Sequence, residues 1–204
     1  MAELTVTTFV SLDGVMQAPG GSEEDTSGDF THGGWVFPLA DAVMGNWVVE
    51  NISRAEAFLL GRTTYDIFAG YWPRFPDPND PIAFQLNHRP KHVASRTRST
   101  FAWNNSRHLP EVVSGVAELK RRCVGEIQVH GSAGLLQTLI AHDLVDEYRI
   151  LTFPVLLGRG KRLFGGGTVP RSLQLVRTVT SSTGVLLGVY RPAGALQTGT
   201  FAID

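Results

Sequence analysis

Twice along this chain a short apolar run stops at a glycine, and a helical pattern starts within a few residues. The stretches are Leu59-Leu60-Gly61-Arg62-Thr63-Thr64 and Val129-His130-Gly131-Ser132-Ala133-Gly134-Leu135-Leu136. Strand followed closely by helix, repeated along a chain, is the pattern of a sheet built by crossovers, so the strands run largely parallel. Loops at the carboxyl ends of such strands are where these folds bind ligands.

The rest of the chain fits that frame. Residues 4–10 (LTVTTFV) read as a first strand, and 11–34 as a long loop rich in Gly and polar residues. Residues 39–54 carry apolar positions at Val43, Met44, Trp47 and Val48, the spacing of a helix. A strand over 57–60, a short helix over 63–69 and a Pro-rich loop over 71–81 follow. Further strands are expected at 91–95, 126–130 and 145–153, with helices at 111–122 and 135–142. A second glycine-rich loop spans 154–167, and strands 173–180 and 185–190 close the chain around a hairpin turn at 181–184. The expectation is one α/β domain over 1–192, its mixed, mainly parallel sheet flanked by helices and ending in antiparallel strands. Residues 193–204 are expected as a weakly ordered tail.

Bulk properties exclude several classes. A formal net charge of −1 gives no electrostatic reason to bind nucleic acid or an anionic membrane. The single cysteine, Cys123, permits no internal disulfide, and no apolar run reaches the length of a membrane helix. A cytoplasmic location and a small-molecule partner are expected. Metal sites look poor: His88 and His92 flank Pro90, which breaks a helix, and neither H-E-x-x-H nor a Cys cluster occurs.

Each glycine junction brings backbone close to a neighbour and opens a helix whose free N–H groups favour an anion. The ordinary alternative is a plain α/β connection, and neither stretch is G-x-G-x-x-G or a P-loop. Arg62 and Arg96 follow two different strands and could hold a phosphate, or form surface ion pairs. Asp13, in Ser-Leu-Asp-Gly, and Asp41, in the first turns of a helix, could orient or protonate a substrate; a turn and a helix start explain them equally. Trp35, beside the long loop, is the tryptophan that could line a pocket.

The order TVTTFVSLDG, FLLGRTTYDIF, KHVASRT and IQVHGSAGLLQTLIAHDLVDEYRILTFPVLLGRGKRLF resembles the dihydrofolate reductase superfamily over about residues 4–191. In particular it resembles the branch holding the reductase domain of the bacterial riboflavin-pathway deaminase/reductase and small stand-alone relatives. The resemblance implies a dihydrofolate-reductase-like three-layer fold and NADPH bound across the carboxyl ends of the strands. Gly61, Arg62, Thr63 and Thr64 would hold cofactor phosphates, and Ser95 and Arg96 the adenosine 2′-phosphate. Gly131, Ser132, Ala133, Gly134 and Leu135 would lie against the pyrophosphate and nicotinamide, with Val10, Met16 and Gln17 flanking the nicotinamide. Asp41 is the nearest match to the acidic helix residue of folate reductases, although the motif around it is not theirs. The zinc deaminase motifs of the two-domain riboflavin enzymes are missing from the sequence.

Two readings compete, with a structural or assembly role through a dimer as a third. One is an NADPH-dependent reductase that passes a hydride to a C=N or C=O carbon of a pterin-, pyrimidine- or sugar-like substrate, with Asp41 or Asp13 supplying the proton, Trp35 at the substrate and loop 13–34 as a lid. The other is a reductase-like fold that binds a nucleotide or other ligand without turnover. Relatives of this branch imply a homodimer formed through the C-terminal strands.

Overall fold

The computed structural model describes residues 1–166 and 168–201. Gly167 and residues 202–204, which belong to the expected glycine loop and tail, lie outside the described residues. The strands are β1 (Glu3–Ser11), β2 (Ala55–Gly61), β3 (Lys91–Ala94), β4 (Ser106–Leu109), β5 (Glu126–Val129), β6 (Glu147–Phe153), β7 (Arg171–Thr180) and β8 (Leu186–Ala195). The helices are α1 (Ala42–Ile52), α2 (Arg62–Tyr71), α3 (Pro81–His88), α4 (Val112–Arg122) and α5 (Ala133–Ala141).

The strands form one sheet in the order β4-β3-β2-β5-β1-β6-β8-β7. The pairs from β4 through to β6 are parallel, and β8 and β7 are added antiparallel. From β1 the chain steps over to β2, moves outward to β3 and β4, and returns to insert β5 between β2 and β1. That reversal puts the ends of β2, β5 and β1 side by side, the place where open α/β sheets form a crevice.

Alternation along the central strands feeds three layers. Leu4, Val6, Val10, Ile127, Val129, Tyr148 and Ile150 face α4 and α5 in one apolar cluster. On the opposite face Phe153 and Leu151 pack with Met44 and Trp47 of α1, and Phe58 and Leu60 pack with Tyr65 of α2 and Leu86 of α3. Burial on both faces is what a parallel sheet requires. None of the described helices is long and apolar enough to cross a membrane.

The structure departs from expectation in four places. The α3 helix arises directly after the expected Pro-rich loop, in 82–88, where no element was expected: Asp80 caps it through Ile82 N (2.9 Å) and Ala83 N (2.8 Å), and Pro81, the last residue of that loop, occupies its first turn. The short β4 pairs with β3, so the polar run before α4 is not all loop. The β8 strand extends through 193–195, with Arg171 opposite Ala195, so the tail begins later than 193. Finally, the long loop is tethered rather than hinged. Gln17 Nε2 donates to Asp25 O and Ser27 O, Lys161 Nζ reaches Asp25 at 2.6 Å, and Val15, Ala18, Phe30 and Trp35 pack into the core.

Candidate functional site

The two glycine junctions meet. Gly61 ends β2, and its N–H donates to Gly131 O at 3.0 Å. A Cβ on Gly61 would stand 2.1 Å from Ser132 Oγ and 2.9 Å from Ser132 N; one on Gly131 would stand 2.7 Å from Thr64 Oγ1. Gly131 also has φ +134°, which L side chains rarely adopt. Close approach at both points is therefore built on the absence of side chains, and α2 and α5 begin next to each other.

Neither helix has a side chain capping its N-terminus: Gly61 carries none, and Ser132 makes no capping bond. In contrast, Asp41 caps α1 and Asp80 caps α3. The N–H groups and positive dipole ends of α2 and α5 therefore start side by side, at the strand ends where open α/β sheets form their crevice. A Cβ on Gly134 would meet nothing within 4 Å, so space remains over the first turn of α5.

Arginines surround the α2 side. Ser95 is buried, and its Oγ accepts from Thr97 N (3.3 Å) and Arg98 N (3.0 Å), turning the chain out of β3. Arg96 is exposed there and makes no ion pair among the described residues. Arg62 and Arg98 both hold Asp66, at 3.0 and 2.5 Å. Arg98 also lies over the rings of Tyr65 and Phe101. It was missed in the sequence, although its place two residues after Arg96 on the same turn was a usable signal. A cavity of about 680 Å³ lies against the Tyr65–Ala69 side of α2. Its lining includes Arg98 and Trp103 but no residue of the glycine junctions, so it is a different space from the crevice.

Val10, Met16 and Leu135 pack into one apolar cluster with Val129 and Leu163. Gln17 is buried and spent on the long loop: its Oε1 accepts from Lys161 N at 3.0 Å, and its Nε2 is bonded to loop carbonyls. Thr64 is buried against Gly131, while Thr63 is half-buried at the start of α2.

The residues expected to act on a substrate are differently employed. Asp13 accepts from Ser11 Oγ (2.6 Å), Leu157 N (3.1 Å) and Gly158 N (2.8 Å), clamping the exit of β1 to the second glycine-rich loop. The Ser11 hydroxyl above all, then these backbone N–H groups, hold its pKa down to about 2, which makes it a poor proton donor near neutrality. Asp41 accepts from Met44 N (2.9 Å), Ser182 N (2.8 Å) and Ser182 Oγ (2.7 Å), tying α1 to the β7–β8 turn. Those bonds, led by Met44 N–H, lower its pKa and keep it charged. Trp35 is buried, donates from Nε1 to Gln17 O (2.9 Å) and packs edge-on against Phe153; it anchors the loop instead of lining a pocket.

A polar seam that the sequence did not disclose runs under α1. Arg149 is 2% exposed and bonds Glu126 through both terminal nitrogens (2.6 and 2.7 Å) and Glu147 through Nε (2.7 Å). Glu147 also holds Arg191 at 2.9 Å, which reaches Glu3 at 3.1 Å. At the other end Gln128 Nε2 donates to Glu126 Oε1 and to Asn51 O, and Gln128 Oε1 faces His130 Nε2 at 3.2 Å. Burial above all, with the Arg149 cation adding to it, lowers the His130 pKa to about 4. Thr7 Oγ1 and Trp47 Nε1, on the same side of the sheet, are buried and have no hydrogen-bond partner among the described residues.

Residues 2–187 match the family model described as the RibD C-terminal domain. The chain is 30% identical over 183 residues to the uncharacterized protein YyaP of Bacillus subtilis (strain 168), covering 89% of this chain and 90% of that one. Among solved structures, a putative riboflavin biosynthesis protein from Shewanella sp. PV-4 superposes with a TM-score of 0.71 at 20% identity, over 95% of this chain and 99% of that one. A pyrimidine reductase-like protein from Corynebacterium diphtheriae gives 0.61 at 12% identity, over 94% and 92%. Dihydrofolate reductase from Enterococcus faecalis, complexed with NADP(H) and RAB-propyl, gives 0.57 at 14% identity, over 93% and 96%.

Proposed function

The chain belongs to the RibD C-terminal domain family, a reductase-type family on a dihydrofolate-reductase-like fold, and from that premise we propose that it is an NADPH-dependent reductase of a small polar substrate. The observation that supports the cofactor reading is the contact between the two helix starts. Two uncapped helix N-termini, held together by Gly61 N–H and Gly131 O, fit a diphosphate better than a single anion. Backbone N–H groups of residues 62–64 and 133–135 would bind it. Arg96, exposed on the turn after β3 and without an ion pair among the described residues, fits the extra phosphate that separates NADPH from NADH. Val10, Met16 and Leu135 would present an apolar wall to the nicotinamide and exclude water there.

NADPH, when bound, supplies the hydride for a C=N or C=O carbon. The chain's own part is to fix the geometry. The Asp13 clamp and the tethered long loop hold the exit of β1, and the glycine contacts hold α2 and α5 in place.

One observation favours ligand binding without turnover. Asp13 and Asp41, the two carboxylates expected as acids, are held charged by structural hydrogen bonds. A reductase on this scaffold would then need a proton source other than these two carboxylates.

We further infer a homodimer. Edge strand β7 exposes Leu173, Leu175 and Val176, and the neighbouring β8 exposes Leu186, apolar side chains at the edge of the sheet.

Titration with NADPH and NADH, read by quenching of tryptophan fluorescence, tests the cofactor reading. Micromolar NADPH binding, much weaker for NADH and weakened in Arg96→Ala, supports it. Absence of binding to either at millimolar concentration overturns it.

A further inference from the structure

We propose that the cavity of about 680 Å³ between α2, the end of α3 and the β3–β4 loop is a second ligand site, separate from the cofactor crevice, and that it takes a planar aromatic carboxylate on Arg98. The inference goes beyond the reductase reading and does not rest on it.

The volume suits a small organic molecule, and the walls are aromatic. Tyr65 and Phe101 meet edge to face at 4.9 Å, and Tyr65 and Trp103 lie 6.0 Å apart between ring centres. These walls are pinned. Tyr65 Oη accepts from Trp103 N at 2.8 Å, Trp103 Nε1 donates to Asn87 Oδ1 at 2.9 Å, and Asn87 Nδ2 donates to Trp72 O at 3.0 Å. Lys91 Nζ, held by Leu86 O (2.6 Å) and Arg89 O (2.9 Å), stands 4.4 Å from the centre of the Trp103 ring. The β3–β4 loop is thereby fixed against α2 and α3, so a ligand need not order it on binding.

The charge of the site is not balanced. Among the described residues that line the cavity, Arg98 is the one Arg or Lys and Asp66 the one carboxylate. Asp66 is shared: Oδ1 takes Arg98 at 2.5 Å, and Oδ2 takes Arg62 at 3.0 Å. Two guanidinium groups on one carboxylate leave one positive charge over. Of the two terminal nitrogens of Arg98, Nη2 is bonded to Asp66, and Nη1 makes no hydrogen bond among the described residues. The guanidinium already lies over aromatic faces, 4.7 Å from the centre of the Phe101 ring and 5.5 Å from that of Tyr65, so its direction is set before an anion arrives. One surplus charge matches a monoanion. A phosphate dianion would call for a second cation or a helix N-terminus, and the N-terminus of α2 opens at the glycine junctions, whose residues do not line this cavity. A carboxylate on Arg98 would bring its attached ring to the aromatic walls.

The test uses 2-naphthoate, its neutral analogue 2-naphthylmethanol and inorganic phosphate on the whole protein, with NADPH titrated in parallel. Nitrogen–proton NMR of the Trp103 indole is expected to show a shift on adding 2-naphthoate and none on adding phosphate. The carboxylate is expected to bind at least about tenfold more tightly than the alcohol, the worth of a hydrogen bond to a charged group. Arg98→Gln is expected to remove that preference. Thr100→Trp, at an exposed position of the lining, fills the space without touching the charge and is expected to abolish binding while the rest of the spectrum stays that of the folded protein. Saturating NADPH is expected to leave the naphthoate affinity unchanged. Equal affinity for acid and alcohol overturns the proposal, as do an unchanged preference in Arg98→Gln, unchanged binding in Thr100→Trp, phosphate binding as tight as naphthoate, displacement by NADPH, or no naphthoate binding at millimolar concentration. Failure of NADPH to bind while the naphthoate preference holds removes the cofactor reading and leaves this one standing.

Discussion

Replacing Gly61 by alanine tests whether the crevice depends on the contact between the two junctions. Gly61 has φ −71°, so alanine meets no backbone strain, and the whole effect is steric. The new Cβ would stand 2.1 Å from Ser132 Oγ, 3.1 Å from Ser132 Cβ and 2.9 Å from Ser132 N. The hydroxyl can rotate away, but the backbone nitrogen cannot, so β2 and the start of α5 must part by some tenths of an ångström. Overpacking of this kind costs about 1–3 kcal/mol, and it stretches the bond from Gly61 N–H to Gly131 O. Urea unfolding should show the loss of stability, and the NADPH titration should show at least about a tenfold loss of affinity, since misplacing donors by this much weakens them together. The double variant Gly61→Ala/Ser132→Gly removes the hydroxyl and Cβ contacts but keeps the one at 2.9 Å, so it should recover part of the stability and not all of it. Gly70→Ala is the control: it lies in α2 with nothing within 4 Å of the new methyl, and should stabilise by about 0.5–1 kcal/mol. A Gly61→Ala protein with wild-type stability and wild-type NADPH affinity would refute the steric argument.

Arg149→Met leaves the largely buried Glu126 without the cation it holds through two bonds and Glu147 with Arg191 alone, and should cost about 3–5 kcal/mol in denaturant unfolding. For His130 the folded-state pKa of about 4 lies below the ordinary 6.5, so the unfolded chain takes up its proton first. Stability from this group is therefore complete above 6.5 and falls as pH drops towards 4, and His130→Phe should flatten that window in unfolding measured against pH. Asp13, with a pKa of about 2 against 3.8, contributes stability that is lost only between about pH 4 and 2, so Asp13→Asn should leave the profile above pH 5 unchanged in shape. Val176→Lys, on the exposed edge strand, should shift the protein to monomer in sedimentation velocity if β7 is the dimer face; an unshifted dimer rejects that face.

Much of the scaffold was legible because the strands that build the crevice are short apolar runs with hard stops. Gly61 and Gly131 each end such a run, and the distance between them in sequence gave no hint that they touch. That contact is a product of the crossover which inserts β5 between β2 and β1. The α3 helix was hidden because Pro81 reads as the end of a Pro-rich loop, although its place directly after Asp80 makes it a helix start. The four-residue β4, Ser-Arg-His-Leu, is too short and too polar to carry a periodic signal. Asp13 and Asp41 were weighed as acids because carboxylates near strand exits and helix starts suit either task. Only their hydrogen-bond partners, Leu157, Gly158 and Ser182, far off in the sequence, decide between the two.

His130 shows why a buried polar seam was passed over. A lone histidine between a strand and a glycine carries no motif, and the strand Glu126-Ile127-Gln128-Val129 reads as ordinary alternation. Its polar face would face water in a sheet covered on one side. Here α1 crosses that face, as Gln128 bonded to Asn51 O shows, and the polar side of the alternation becomes interior. A polar side chain buried in that way has to be matched, and the chain Glu147–Arg149–Glu126–Gln128 matches it up to His130. At that point the matching stops, and Thr7 Oγ1 and Trp47 Nε1 on the same side of the sheet stay unpaired among the described residues. The network therefore ends on the His130 ring, and its burial is met from within the chain, which is why alternation along β5 alone could not show that this face is interior.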